Sequence, residues 1–340
     1  MIIKEFEIND YKCFKDFKID KLSQINIISG KNNVGKTALL EALSVSKNTT
    51  NLRLFKKNIE YIFASRGLNY NDIYIYLKSI FLDIKYLDKK IVIQSKHNTL
   101  TEEEHEKLKQ QYVNPQVKEF LVMYYDDIFE DILPLEINQE LSSVEFQTLF
   151  INSSRPNNYY LTHLYSKVQE LNKQDAFLKY LQIIDNNIIG IEPYLTQIIA
   201  HDGQSVQSTV LRITVENPLQ SFISSELGEG TNRFIEILCS LLANTNGTVL
   251  IDEIENGIHH TKLYDIWKAI IEIVDKENIQ LFVTTHDEES IEALNRASED
   301  MKYYKITSLT LEKDEDNTIY PIIRKYSSFT ATVDAGMDIR

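Results

Sequence analysis

Ile3, Phe6 and Ile8 open an extended apolar run, and Ile25-Asn26-Ile27-Ile28 form a second that ends at Ser29-Gly30. From about Lys36 the spacing becomes helical, with Ala38, Leu39, Leu40, Ala42 and Leu43 on adjoining turns. Residues 51–145 are rich in Tyr, Ile, Leu, Asn and Lys, poor in Gly, and mostly helical in pattern. Thr101-Glu102-Glu103-Glu104 reads as a capping box. After Pro115, the positions Val117, Phe120, Leu121, Tyr124, Ile128 and Ile132 fall on one helical face, which packs on its own domain or serves a partner.

From Phe146 the pattern is mixed again. Phe150-Ile151 closes a short strand before Ser153-Ser154-Arg155-Pro156, and helices are expected over 160–186. Val210, Ile213 and Val215 belong to an extended run, and a helix starts near Thr231. Buried strands are expected at Thr248–Ile251 and Gln280–Thr285, and two last strands around 303–312 and 318–325 flank the polar turn Lys313–Asn317. No internal repeat or low-complexity tract is visible.

Composition narrows the class. The 340 residues are 43% hydrophobic and 25% charged, with ten Gly and six Pro, as in a globular chain and unlike a disordered one. Cys13 and Cys239 are too few for a disulfide framework. The net charge of −14 disfavours a nucleic-acid binder acting alone. The charge is uneven: residues 1–60 hold eleven Lys/Arg against seven Asp/Glu, and residues 201–340 hold twelve against twenty-four. No run approaches the roughly 20 apolar residues that cross a bilayer. The opening MIIKEFEINDYKCF has acids early and no apolar core, so a cytoplasmic location is expected.

The strand–helix junction at Gly30 carries the most specific chemistry. Gly30-Lys31-Asn32-Asn33-Val34-Gly35-Lys36-Thr37 fits G-x-x-x-x-G-K-[ST]. Its glycines let backbone N–H groups, on through Ala38, curl around phosphate oxygens. Lys36 reaches the β- and γ-phosphates, Thr37 offers a hydroxyl to Mg²⁺, and the helix N-terminus favours an anion. Thr248-Val249-Leu250-Ile251-Asp252-Glu253 is an apolar strand ending in two acids, placed where α/β sheets bind ligands. Asp252 would hold Mg²⁺ and Glu253 would polarise an attacking water. Leu281–Thr285 ends at His286, which can hydrogen-bond a γ-phosphate. Gly228-Glu229-Gly230, within Leu227–Arg233, opens a helix with free N–H groups. His259-His260 is read as a helix start rather than a metal pair, because adjacent helical residues do not share a face.

The order of these motifs resembles the ABC-type ATPase heads of the SMC and RecF DNA-repair proteins. GKNNVGKT, LGEGTNR, LIDEIENGIHH and TTH look closest to the OLD-like AAA ATPases of bacterial anti-phage systems. Tyr11–Asp16 is similar to the N-F-K-x-F-x-D opening of those heads, and Gly336–Arg340 to the end of such subunits. The expected fold is therefore α/β, an ABC/SMC-type P-loop ATPase head over 1–47 and 146–340, with a mostly helical insertion at 48–145. The sequence departs from transporter heads, which carry LSGGQ and an aspartate where His259 stands.

The resemblance implies ATP and Mg²⁺ as cofactors and a homodimer, able to grow into a larger assembly, that closes on ATP as a sandwich. In it, Lys36, Asp252, Glu253 and His286 of one protomer face Gly228-Glu229-Gly230 of the second. It also implies a separately encoded effector nuclease of Toprim or HNH type, as in PARIS-like and Septu-like pairs. Asp314-Glu315-Asp316 sits in a turn, so no nuclease activity of the chain's own is expected. A SMC/RecF-like ATPase acting on DNA is the alternative. Its long arms have no counterpart here, since 51–145 reaches at most roughly 70 Å as two helices.

Overall fold

A computed structural model describes residues 2–47, 51–65, 68–86, 89–112, 118–135, 148–153, 158–199, 205–337 and 339. Phe146, where the pattern turns mixed, the loop residues Ser154–Pro156, the boundaries at 48 and 145, Val117, Asp338 and Arg340 lie outside the described residues. The chain opens with β1 (Phe6–Tyr11), β2 (Phe14–Ile19), β3 (Ile25–Gly30) and α1 (Lys36–Ser46). It continues through α2 (Leu52–Ser65), α3 (Tyr70–Leu77), β4 (Phe81–Tyr86), β5 (Lys89–His97), α4 (Glu102–Gln111), β6 (Glu119–Tyr125) and β7 (Ile128–Pro134). Next come β8 (Thr148–Ile151), α5 (Asn158–Glu170), α6 (Gln174–Leu181), β9 (Ile188–Ile199), β10 (Ser205–Val215) and β11 (Gln220–Ile223). The last part holds α7 (Glu229–Leu242), β12 (Thr248–Ile251), α8 (His260–Lys276), β13 (Gln280–Thr284), α9 (Glu288–Asp300), β14 (Ile306–Lys313), β15 (Ile319–Lys325) and α10 (Tyr326–Asp334).

The nucleotide-type sheet has the order β15-β14-β3-β13-β12-β8, parallel except for β15. Its inner strands are rich in buried Ile, Leu, Val and Phe because both faces are covered. Val249, Ile251, Leu281 and Val283 point into a core with α7, α8 and α9, whereas Leu250 and Phe282 point into a core with α1. The strand order sets β13 between β3 and β12, so their carboxyl ends lie side by side. Thr285 N–H donates to Ile28 O at 3.0 Å and Ile254 N–H to Thr284 O at 3.2 Å, lacing those three ends together.

A second, antiparallel sheet runs β2-β1-β4-β5-β6-β7, and a third, β11-β10-β9, lies beside α5 and α6. The second sheet corrects the reading of 48–145 as mostly helical. α2, α3 and α4 are helices, and α4 has the expected capping box at Thr101 and Glu104, but β4, β5, β6 and β7 are strands. Of the positions assigned to one helical face after Pro115, Phe120, Leu121, Tyr124, Ile128 and Ile132 lie instead on the hairpin β6–β7. Asp126 and Asp127, at φ 48° and 65°, form its two-residue turn, the conformation that joins twisted antiparallel strands. Leu121, Met123 and Leu133 fill the large core on one side of the hairpin, and Phe120, Val122 and Ile132 meet Leu108 on the other. A strand covered on both faces shows no period-2 alternation, so spacing alone suggested a helix.

β4 pairs directly with β1, and Leu82 and Ile84 share a core with Phe6, Ile8, Leu39 and Leu43. Strands β4, β5, β6 and β7 therefore complete the sheet that β1 and β2 begin. Among the described residues, no helix is long and apolar enough to cross a membrane. The helix near Thr231 and the strands at Thr248–Ile251 and after Gln280 are in place, and β2, β9, β11 and α10 are elements that periodicity did not single out.

Because Ile84 is fully buried, Ile84→Ala should cost about 2–4 kcal/mol in urea unfolding. Deleting 55–140 should leave no soluble nucleotide-binding head. A well-folded deletion protein would refute this account of the shared core.

Candidate functional site

The phosphate loop begins where β3 ends. Gly30 has φ 140°, and a Cβ there would sit 2.6 Å from Leu311 O, so only glycine fits. Asn33 and Gly35 also take left-handed backbone, at φ 62° and 92°. The loop is thereby wound to present its N–H groups at the start of α1. Cys13 Sγ and Phe14 lie against Gly35, so the β1–β2 turn backs the loop. The Lys36 ammonium folds over it, donating to Gly30 O at 2.6 Å and Lys31 O at 3.1 Å. Burial lowers the Lys36 pKa, opposed by the negative charges of Asp252, Glu253 and Glu255.

The end of β12 brings its acids to this loop. Thr37 Oγ1 donates to Asp252 Oδ2 at 2.9 Å. Thr284 Oγ1 donates to Asp252 Oδ1 at 2.6 Å and accepts the Glu253 N–H at 2.8 Å. Glu253 has φ 51°, a strained backbone for a non-glycine residue that this hydroxyl helps to hold. The Glu253 carboxylate is 4.0 Å from His286 Nδ1, and Glu255 Oε1 is 3.0 Å from the same nitrogen. Burial raises the Glu255 pKa, partly offset by the His286 N–H it accepts.

Arg233, the last residue of LGEGTNR and on the first turns of α7, was given no role by the sequence. Its guanidinium donates to the carbonyls of Asn152, Asp252 and Glu253 at the ends of β8 and β12, and to Glu236 Oε2 at 3.3 Å. Thr284, Glu255 and Asn256, whose side chain donates to Ser153 O, are the other parts missed. Glu255 and Asn256 stood in the acidic motif without an evident task. Backbone-carbonyl partners leave no signature in a sequence.

At Gly228-Glu229-Gly230 the two glycines differ. Gly228 caps α7 with open space around it, whereas a Cβ on Gly230 would lie 2.2 Å from Gly257 O. His259 caps α8 through its side chain, as expected of a helix start. Asp314 accepts the N–H groups of Asp316 and Thr318 and closes the β14–β15 turn.

The residues fit Mg²⁺ in one respect: a hydroxyl and a carboxylate, Thr37 and Asp252, converge beside the phosphate loop, the oxygen donors this ion takes alongside substrate phosphates. Among the described residues, no cluster of three or more His, Cys, Asp or Glu could hold a metal unaided.

A family model described as AAA domain, putative AbiEii toxin, Type IV TA system, matches residues 25–292. The chain belongs to this AAA-domain family. An "ATP/GTP phosphatase" of Helicobacter pylori (strain ATCC 700392 / 26695) is 24% identical to it, over 94% of this chain and 95% of that protein. Among solved structures, a SmcHead bound to the C-winged helix domain of ScpA superposes with a TM-score of 0.50 at 8% identity, covering 96% of this chain and 99% of that one. At that identity the likeness concerns the fold alone. The AAA-domain chain is thus an α/β P-loop ATPase of the ABC/SMC-head type.

Burial lifts the Glu236 carboxyl to about 7 from an ordinary 4.5, with Arg233 opposing. The folded protein then keeps a proton that the unfolded chain releases, so stability falls as pH rises from about 4.5 to 7 and levels off above. Glu236→Gln should flatten this slope, so that its Tm gains on the wild type between pH 5 and pH 8. Equal pH slopes for the two proteins would contradict the assignment.

Proposed function

We propose that this ATPase hydrolyses Mg-ATP between two copies of the chain and, as an OLD-like subunit in the cytoplasm, controls a separately encoded effector nuclease in anti-phage defence. The Thr37–Asp252 contact, which joins the phosphate loop to the acidic strand end, carries the hydrolytic part. In this reading Gly30, Lys31, Asn32, Asn33, Val34, Gly35 and Ala38 wrap the phosphates, and Lys36 neutralises the β- and γ-phosphates. Thr37 and Asp252 hold Mg²⁺, which supplies charge neutralisation at the phosphates. Glu253 orients and polarises water for attack on the γ-phosphorus, the bond to the bridging oxygen breaks, and ADP and phosphate leave. His286 contacts the γ-phosphate. Gly228-Glu229-Gly230 of the second copy complete the site, so that ATP favours the closed pair by its greater affinity for it.

The family's description, with its toxin and type IV TA terms, supports a defence role over transport. The net charge of −14 favours control of a protein effector over a DNA-repair ATPase acting alone on DNA. The head is assigned to 1–47 and 146–340, and 48–145 to a lobe built onto its first two strands. That lobe offers surface to a second subunit or to the effector. The chain itself is assigned no nuclease chemistry.

Lys36→Ala should abolish ATP binding in calorimetry, and unchanged affinity would sink the assignment. Glu253→Gln should bind ATP, turn over at least about 100-fold more slowly, and collect as the closed pair in light scattering. Wild-type turnover in that variant would remove Glu253 from its role.

A further inference from the structure

Glu255 stands two residues past the proposed water-polarising acid, and nothing in the reading above uses it. Its side chain is 10% exposed, beside a His286 ring that is 52% exposed. A carboxylate this enclosed is unfavourable unless it is matched by donors. A single oxygen, Oε1, accepts the His286 backbone N–H at 3.0 Å and lies 3.0 Å from Nδ1 of the same residue. Both the main chain and the ring of one histidine are therefore tied to one atom.

We infer that Glu255 is a positioning residue for His286, fixing its ring so that Nε2 faces the terminal phosphate of the nucleotide. The inference rests on the ATP-hydrolysing reading of this site. Oε1 lies within ion-pair distance of Nδ1, so the acid draws that edge of the ring toward itself. Nδ1 and Nε2 point in diverging directions from the imidazole, so a ring held at Nδ1 can offer Nε2 to a ligand. The bond to the backbone N–H fixes where the ring starts, and the contact to Nδ1 fixes how far it turns.

A second consequence concerns Glu253. Its carboxylate stands 4.0 Å from Nδ1, beyond hydrogen-bond distance. Glu255 is the nearer acid to that nitrogen, which leaves the Glu253 oxygens available to water. Two acids two residues apart thus divide the work: the enclosed one orients the histidine and the more exposed one faces the solvent. The left-handed backbone at Glu253 allows this by turning the chain sharply between them.

The test is a double-mutant cycle in the full chain, reading steady-state ATP hydrolysis, with Glu255→Ala, His286→Ala and the double variant. Glu255→Ala should lower kcat by about 10–100-fold, the usual effect of removing a carboxylate that orients a functional histidine. The KM for ATP should stay within about threefold, because the phosphate-loop contacts remain. The double variant should be no slower than His286→Ala by more than about twofold, since the acid acts through the ring. Multiplying losses, a Glu255→Ala kcat within about twofold of wild type, or a raised KM with unchanged kcat would each overturn the proposal.

If Glu255→Ala does not fold, Glu255→Gln replaces it, since the amide keeps an acceptor oxygen of the same reach. It should retain at least about a third of the wild-type kcat, and a folded Gln variant as slow as His286→Ala would overturn the proposal. Lys36→Ala serves as the control on the site itself. Hydrolysis that survives Lys36→Ala refutes the ATP-site reading, whereas hydrolysis that needs Lys36 but ignores Glu255 refutes only the positioning role.

Discussion

Three carboxylates, from Asp252, Glu253 and Glu255, converge within one turn of chain beside the phosphate loop, and the fold at this edge is organised around keeping them there. Like charges so close repel, and enclosed ones lose hydration. Asp252 takes the hydroxyls of Thr37 and Thr284. Glu255 takes His286. Glu253 stays half-open with its backbone pinned by Thr284. Lys36 supplies the facing positive charge, and a nucleotide with its cation would enter that same field. The sheet order serves this arrangement, because only with β13 between β3 and β12 can one strand end carry donors to acids on its neighbour.

Arg233 extends the network beyond the acids. Its guanidinium reaches the carbonyls at the ends of two strands and ties them to the helix. Glu236, one helical turn on, accepts from the same guanidinium. The helix that begins at Gly228-Glu229-Gly230 is thus tied by its first turns to the strand that carries Asp252, and the meeting of Gly230 with Gly257 brings the two backbones into direct contact.

Much of this site was legible in the sequence because each part is a local pattern: an apolar run that stops at a polar residue. GKNNVGKT after Ile25–Ser29, Asp252-Glu253 after Thr248–Ile251, and His286 after Gln280–Thr284 all read this way, and the strands are there. What stayed hidden has partners far along the chain. Arg233 bonds carbonyls that any residue could supply, and Thr284 looks like ordinary strand chemistry until its hydroxyl is seen between Asp252 and Glu253. The hairpin β6–β7 was misread for a different reason. Phe120 to Met123 are covered on both sides, so the alternation that marks a strand is erased, and the signal that remained was the Asp126-Asp127 turn.

The position of α1 has a consequence for motion. Its N-terminus carries Lys36 and Thr37, while Leu39, Leu40 and Leu43 are embedded in the core that also holds Phe6, Ile8, Leu82 and Ile84. Local opening of the antiparallel lobe and release of the phosphate loop therefore draw on the same packed side chains. A ligand that binds the closed loop stabilises everything whose opening disrupts it, by an amount set by its concentration relative to its affinity. Amide exchange in β1 and β4, strands that present no group to the nucleotide, becomes a gauge of occupancy: slow with the loop filled, faster with it empty.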